Sequence, residues 1–151
     1  MLLLLLACGA PGKGGDDPCL PGDGPTLTVG TGELAFEPVA AGDTVELVHG
    51  PQGGFHTHVG LSATFLDASA TVAAVMTGSI DGEVLAESAP YLTLRCNPET
   101  HALESWGTRL IWDALPEDLD GKPITVSVTL TDAAGTTLDA SVDLLIEDPT
   151  L

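Results

Sequence analysis

Basic side chains are what this sequence has least of: 4 Lys and Arg stand against 22 Asp and Glu in 151 residues, a formal charge of -18. The acidic residues run along the whole length rather than forming a tail. Phosphates would be repelled and there is no basic patch to release counterions, so nucleic acid is excluded as a partner. Aromatic residues are also few, at 3 Phe, 2 Trp and 1 Tyr, so no exposed aromatic platform is expected for a glycan groove or a single-stranded nucleic acid. No Gly-x-Ser-x-Gly elbow, no Gly-x-x-x-x-Gly-Lys phosphate loop and no Cys-x-x-Cys pair occurs. Serine hydrolase, nucleotide-binding, thioredoxin-like and zinc-knuckle readings fall with them, and the chain reads as a non-enzyme.

What is present is turn chemistry and short apolar alternation. With 18 Gly and 11 Pro, the composition fits a turn-rich β domain, and the length fits one such domain. The start, Met1-Leu2-Leu3-Leu4-Leu5-Leu6-Ala7-Cys8, is far too short to span a bilayer, which needs ~20 apolar residues. This run, ending in Leu-Leu-Ala-Cys, resembles a bacterial lipoprotein signal peptide. The missing Lys or Arg ahead of it suggests a misplaced start or a truncated sequence. The resemblance implies a signal over residues 1–7, cleavage before Cys8 and lipid, palmitate among it, on Cys8. Gly9 at the next position resembles proteins sent on to the outer membrane, facing the periplasm or the cell surface. Since -18 repels an anionic membrane surface, attachment must come from that lipid, and more than one acyl chain makes it firm.

Residues 8–25 are dominated by Gly, Pro and Asp and are expected to be a flexible tether to a domain over 26–151. Once Cys8 is lipidated, Cys19 and Cys96 make one possible disulfide, in keeping with an oxidising compartment. Two unpaired thiols are the other reading, because sequence gives neither the distance nor the direction of the side chains.

Period-two runs predict strands near 26–30, 34–38, 43–49, 55–65, 70–77, 83–87, 91–96, 105–112, 123–131 and 137–147. The last two are clearest. Ile124, Val126, Val128 and Leu130 alternate with Thr125, Ser127 and Thr129, and Leu138, Ala140, Val142, Leu144 and Ile146 alternate with Asp139, Ser141 and Asp143. The residues between, Thr131 to Thr136, carry the polar groups and the Gly of a tight hairpin. This stretch resembles the last two strands of the immunoglobulin-like or fibronectin-like domains of bacterial surface proteins. An all-β, immunoglobulin-like sandwich of two antiparallel sheets is therefore expected, with at most one helical turn at Pro116 to Leu119 and a small β-barrel as the alternative. Trp106 and Trp112 read as core or inter-sheet packing, with carbohydrate stacking by one of them as the lesser alternative.

One segment offers chemistry: His49-Gly50-Pro51-Gln52-Gly53-Gly54-Phe55-His56-Thr57-His58. In a strand starting at Phe55, residues Phe55, Val59, Leu61 and Phe65 share one face and His56 and His58 the other, about 6 to 7 Å apart at Cα. His49 returns toward them across the Gly-rich loop, and His101 joins if the fold brings its loop alongside. Three imidazoles suit zinc or copper; the competing reading is a set of solvent-facing strand histidines. The Gly-Pro-Gln-Gly-Gly-Phe-His pattern is also similar to lipoproteins of predatory soil and marine bacteria, a likeness that implies a family and no activity. Asp118-Leu119-Asp120-Gly121 has part of a calcium loop but lacks the further ligands and closing Glu, and reads as a plain turn.

The expected function is a membrane-anchored surface or periplasmic module that binds a protein partner or serves structurally. A copper- or zinc-binding protein using His49, His56, His58 and His101 is the alternative.

Overall fold

The computed structural model describes Cys19, residues 24–64 and residues 66–151. The signal segment, Cys8, the rest of the tether up to residue 23 and Phe65 lie outside the described residues.

The described residues form twelve strands and one helical turn. They are β1 (Thr26–Thr31), β2 (Glu37–Pro38), β3 (Thr44–Glu46), β4 (Val48–His49), β5 (Phe55–Thr64), β6 (Val72–Ile80), β7 (Glu83–Ser88), β8 (Tyr91–Leu92), β9 (Arg95–Asn97), β10 (Ala102–Trp112), α1 (Pro116–Leu119), β11 (Pro123–Thr131) and β12 (Thr137–Glu147). In one layer β4 pairs with β5, β5 with β10 and β10 with β9. In the other, β6 pairs with β11 and β11 with β12, while β7 flanks β6. In immunoglobulin lettering these are A-B-E-D and C-F-G with an added C′ strand, so the fold is all-β and immunoglobulin-like. The hairpin β1–β2 is extra, lying on the edge of β5 beyond β4.

The expected pair of wholly antiparallel sheets needs correction. Thr44 to Glu46 runs parallel to β12, Leu47 N–H donates to Glu147 O at 2.7 Å, and Val48 and His49 then pair antiparallel with β5. On the opposite flank β10 and β7 meet at a single pair, Trp112 with Ala86. The layers are thus tied at both flanks, and the segment from 44 to 49 covers one edge of each, edges that would otherwise offer unpaired backbone groups. Leu47, 1% exposed, anchors that crossing in the interior.

The core follows from alternation. Ile124, Val126, Val128 and Leu130 of β11 are buried, as are Leu144 and Ile146 of β12. They face Val59, Leu61 and Ala63 of β5 and Leu110 of β10 in one cluster. Threonines on the wet face of β11 bond across the pair, Thr125 Oγ1 donating to Asp143 Oδ1 at 2.6 Å. Trp112 is in the core as expected, 3% exposed, its Nε1–H donating to Thr57 Oγ1 at 3.2 Å. Its ring lies against Gly78, where an added Cβ would stand 2.5 Å from Cη2.

β10 is interrupted by a bulge between Ser105 and Thr108. Gly107 takes a φ of 70° there, and its N–H donates to Gly32 O at 2.9 Å. The chain from Gly32 to Phe36 is held over this bulge, so the expected strand at 34–38 shrinks to Glu37–Pro38.

Candidate functional site

The structure brings His56 and His58 together and keeps His49 and His101 away. The two rings of β5 are in edge contact, with centroids 5.0 Å apart. Arg109 of β10 stands opposite His58, and Ile111 opposite His56. His56 is not solvent-facing: it is 7% exposed and borders a cleft of about 260 Å³ beside the loop from Gly50 to Gly54. Burial, with the charges of His58 and Arg109 nearby, pushes the His56 imidazole below its ordinary value, against the opposing pull of Glu33. A low-pKa imidazole is neutral and able to accept a hydrogen bond, but the Arg109 guanidinium makes the neighbourhood unfavourable to a further cation.

His49 belongs to the other face of the strand. Paired with Phe55, it packs edge-on against that ring at 4.9 Å, and its Nε2 donates to Asp148 Oδ2 at 2.7 Å. Asp148 also accepts from the Thr150 backbone and hydroxyl, so this cluster latches β4 to the C-terminal segment. Burial alone would raise the Asp148 carboxyl, yet the hydrogen bonds from Thr150 and His49 outweigh it and hold it low. His101 sits exposed between β9 and β10 with a φ of 56°. Leu103, two residues on, pairs with Ala63, five residues along β5 from His58, which puts His101 roughly 20 Å from that imidazole. The four-histidine set is therefore not assembled. Among the described residues no group of three or more His, Cys, Asp or Glu is placed to hold a metal ion. The Asp118 to Gly121 stretch is the end of α1 and the turn that follows it, with Lys122 N–H bonded to Leu119 O and Asp120 Oδ1 accepting the Asp148 N–H.

The disulfide is present. Cys19 and Cys96 are bonded with Cα atoms 5.7 Å apart, and Cys19 is buried at 5% exposure. The end of the tether is thereby fixed to β9.

A second concave site was not foreseen. Opposite β5, β10 is paired at residues 102–104 by β9 and at Trp112 by β7, and among the described residues no strand pairs with the stretch between. The chain from β8 to β9 crosses between layers at this gap and leaves a cleft of about 200 Å³. Contrary to expectation, Trp106 is half-exposed here rather than in the core, with the Arg95 guanidinium 5.5 Å from its ring centroid. Tyr91 is 77% exposed on the same cleft. Glu104, buried, accepts from Asn97 Nδ2 at 3.1 Å and Thr100 Oγ1 at 3.0 Å. Ser105 is 7% exposed, and its buried Oγ has no hydrogen-bond partner among the described residues. The sequence signal for this site is Trp106-Gly107 inside a strand, since a lone Gly there marks a bulge.

No family model and no curated protein matches the chain. Among solved structures it is similar to the first Ig-like domain of human CD48 antigen, at 14% identity over 78% of this chain and 92% of that one, with a TM-score of 0.27.

Proposed function

We propose that the chain is an exported, lipid-anchored binding module without catalytic activity, held by Cys8 at the outer membrane and facing the periplasm or the cell surface. The observation that supports it most is the Cys19–Cys96 disulfide, which persists in oxidising compartments and fastens the segment following Cys8 to the domain. The remaining chemistry fits binding better than turnover. The His49–Asp148 pair is spent on Thr150 and the C-terminal segment, and among the described residues no nucleophile or carboxylate base is hydrogen-bonded to the imidazole of His56 or His58. The partners in this reading are the membrane, through lipid, and a protein; the charge of -18 argues against nucleic acid.

Labelling cells with a radioactive fatty acid tests the anchor. Label is expected on the wild type and absent from Cys8→Ser, and equal labelling of the two would sink the proposal. Alkylation of non-reduced protein should at the same time find Cys19 and Cys96 blocked.

A second reading, copper or zinc binding, is favoured by the ring contact of His56 with His58 alone. It predicts saturable uptake in a calorimetric titration that disappears in His56→Ala with His58→Ala. Uptake that the double variant leaves unchanged would end it.

A further inference from the structure

We propose that the open flank of β10 is a binding site for one pyranose ring of an uncharged glycan. The site deepens the binding-module reading and rests on it for its biological use, but its geometry is independent of the anchor at Cys8.

The backbone creates the opening. Because β9 releases β10 after Glu104 and β7 rejoins it only at Trp112, no strand among the described residues covers the side wall of the sandwich just where the bulge at Trp106 and Gly107 turns an aromatic ring outward. A volume of about 200 Å³ is several water molecules' worth, enough for one hydroxylated six-membered ring and too little for a drug-sized molecule.

The lining selects the chemistry. Arg95 can only donate hydrogen bonds, while the Glu104 carboxylate, already fixed by Asn97 and Thr100, can only accept them. Ser105, Thr93 and Thr108 can do either. A ligand that satisfies such a mixture carries hydroxyl groups, which are donor and acceptor at once. It is also uncharged: one cation and one anion line the cleft, and the surrounding charge of -18 opposes an anionic ligand. Trp106 and Tyr91 supply apolar surface of the kind that packs against the C–H face of a sugar ring, leaving its hydroxyls for the polar wall.

Ser105 is the observation that points to a ligand rather than to a mere groove. A buried hydroxyl without a partner carries a desolvation cost, and native structures pair nearly all such groups. The residue lines this cleft while its Oγ is closed to solvent, so an incoming hydroxyl reaches it only by parting the side chains around it, and then meets a group that no described residue already bonds.

The test uses the full chain with its disulfide intact, titrated with cellotriose, maltotriose and chitotriose while tryptophan fluorescence is followed. Trp112 is buried and hydrogen-bonded to Thr57, so a response reports Trp106. At least one of the sugars should give a saturable change, and its binding heat, followed by calorimetry, should vanish in Trp106→Ala. Ser105→Ala should weaken binding by about tenfold or more while its unfolding midpoint stays level or rises, since no protein hydrogen bond is lost. That combination separates a ligand contact from a structural role and holds even if Trp106→Ala fails to fold. The inference is overturned if none of the neutral sugars saturates, if an acidic oligosaccharide alone binds, if Ser105→Ala binds as the wild type does, or if it loses stability together with binding. Any of these with fatty-acid labelling of Cys8 intact removes the glycan site and leaves the anchored module standing.

Discussion

Single residues decide how closely the layers of this sandwich meet. Gly78 of β6 is small because the Trp112 indole occupies the place of its side chain, with three ring carbons within 3.0 Å of an added Cβ. The ring cannot yield easily, being buried and bonded through Nε1 to Thr57. Gly78→Ala is therefore expected to destabilise the fold by about 1 to 3 kcal/mol through overpacking, measured as a lowered denaturant midpoint. Protonation acts at the same scale. The folded His56 imidazole titrates below the unfolded value of about 6.5, so the unfolded chain binds the extra proton first. Its contribution is fully present above that value and is lost as pH falls through the folded one. Asp67, Asp132 and Asp148 are also held low by their hydrogen bonds, and their contribution is lost further down, as pH falls from about 3.9 through their folded values. Thermal midpoints of wild type and His56→Gln, taken from about pH 7 to pH 5, should draw closer on acidification, with the wild type losing more. Parallel curves would show that His56 titrates alike folded and unfolded.

At the scale of elements, the hairpin of β11 and β12 turns on a carboxylate. Asp132, buried, accepts the Thr136 N–H at 2.8 Å within the turn and the Asp67 N–H at 2.9 Å from the segment leading to β6. One side chain thus closes a turn and fastens a loop distant in sequence. Asp132→Ala leaves those two N–H groups unpaired and should cost about 1 to 3 kcal/mol, with faster amide exchange at Thr136 and Asp67; unchanged exchange would contradict it. The turn was legible in the sequence, as were β11 and β12 residue for residue, because their alternation is unbroken and their pairing local. Predicted strands at 43–49 and 91–96 each split in two, since the chain there changes layers and hydrogen bonds to different partners on either side of Leu47 and Thr93. No period in the sequence encodes that exchange. For the same reason the histidine arrangement is legible only in part. Alternation put His56 beside His58, but the burial of His56, the Asp148 partner of His49 and the remoteness of His101 depend on strands far apart in the chain. The Trp106 cleft escaped because a bulge moved the ring from the expected inward face.

Across the whole molecule the dominant field is its own negative charge. With 22 acidic and 4 basic side chains, few carboxylates have a cationic neighbour, and the one His–carboxylate ion pair among the described residues is that of His49 with Asp148. Folding gathers these charges into a smaller volume, so self-repulsion works against the compact state while keeping the protein soluble and apart from other acidic surfaces. The wet face of β12 shows the crowding, with Asp139, Asp143 and Glu147 at every fourth position. Threonine hydroxyls rather than Lys or Arg meet two of those carboxylates, which satisfies their hydrogen bonding without removing their charge. Added salt should then stabilise the fold, in contrast to a surface laced with ion pairs, where screening removes attraction. The Debye length shrinks to about 10 Å by 0.1 M salt, which is shorter than most separations across a domain of this size. The thermal midpoint in sodium chloride should therefore rise from low salt to physiological ionic strength and then level off, and Glu147→Lys should rise above wild type at low salt with the gap narrowing as salt is added. A midpoint that falls with sodium chloride would mean that paired attractions outweigh the field.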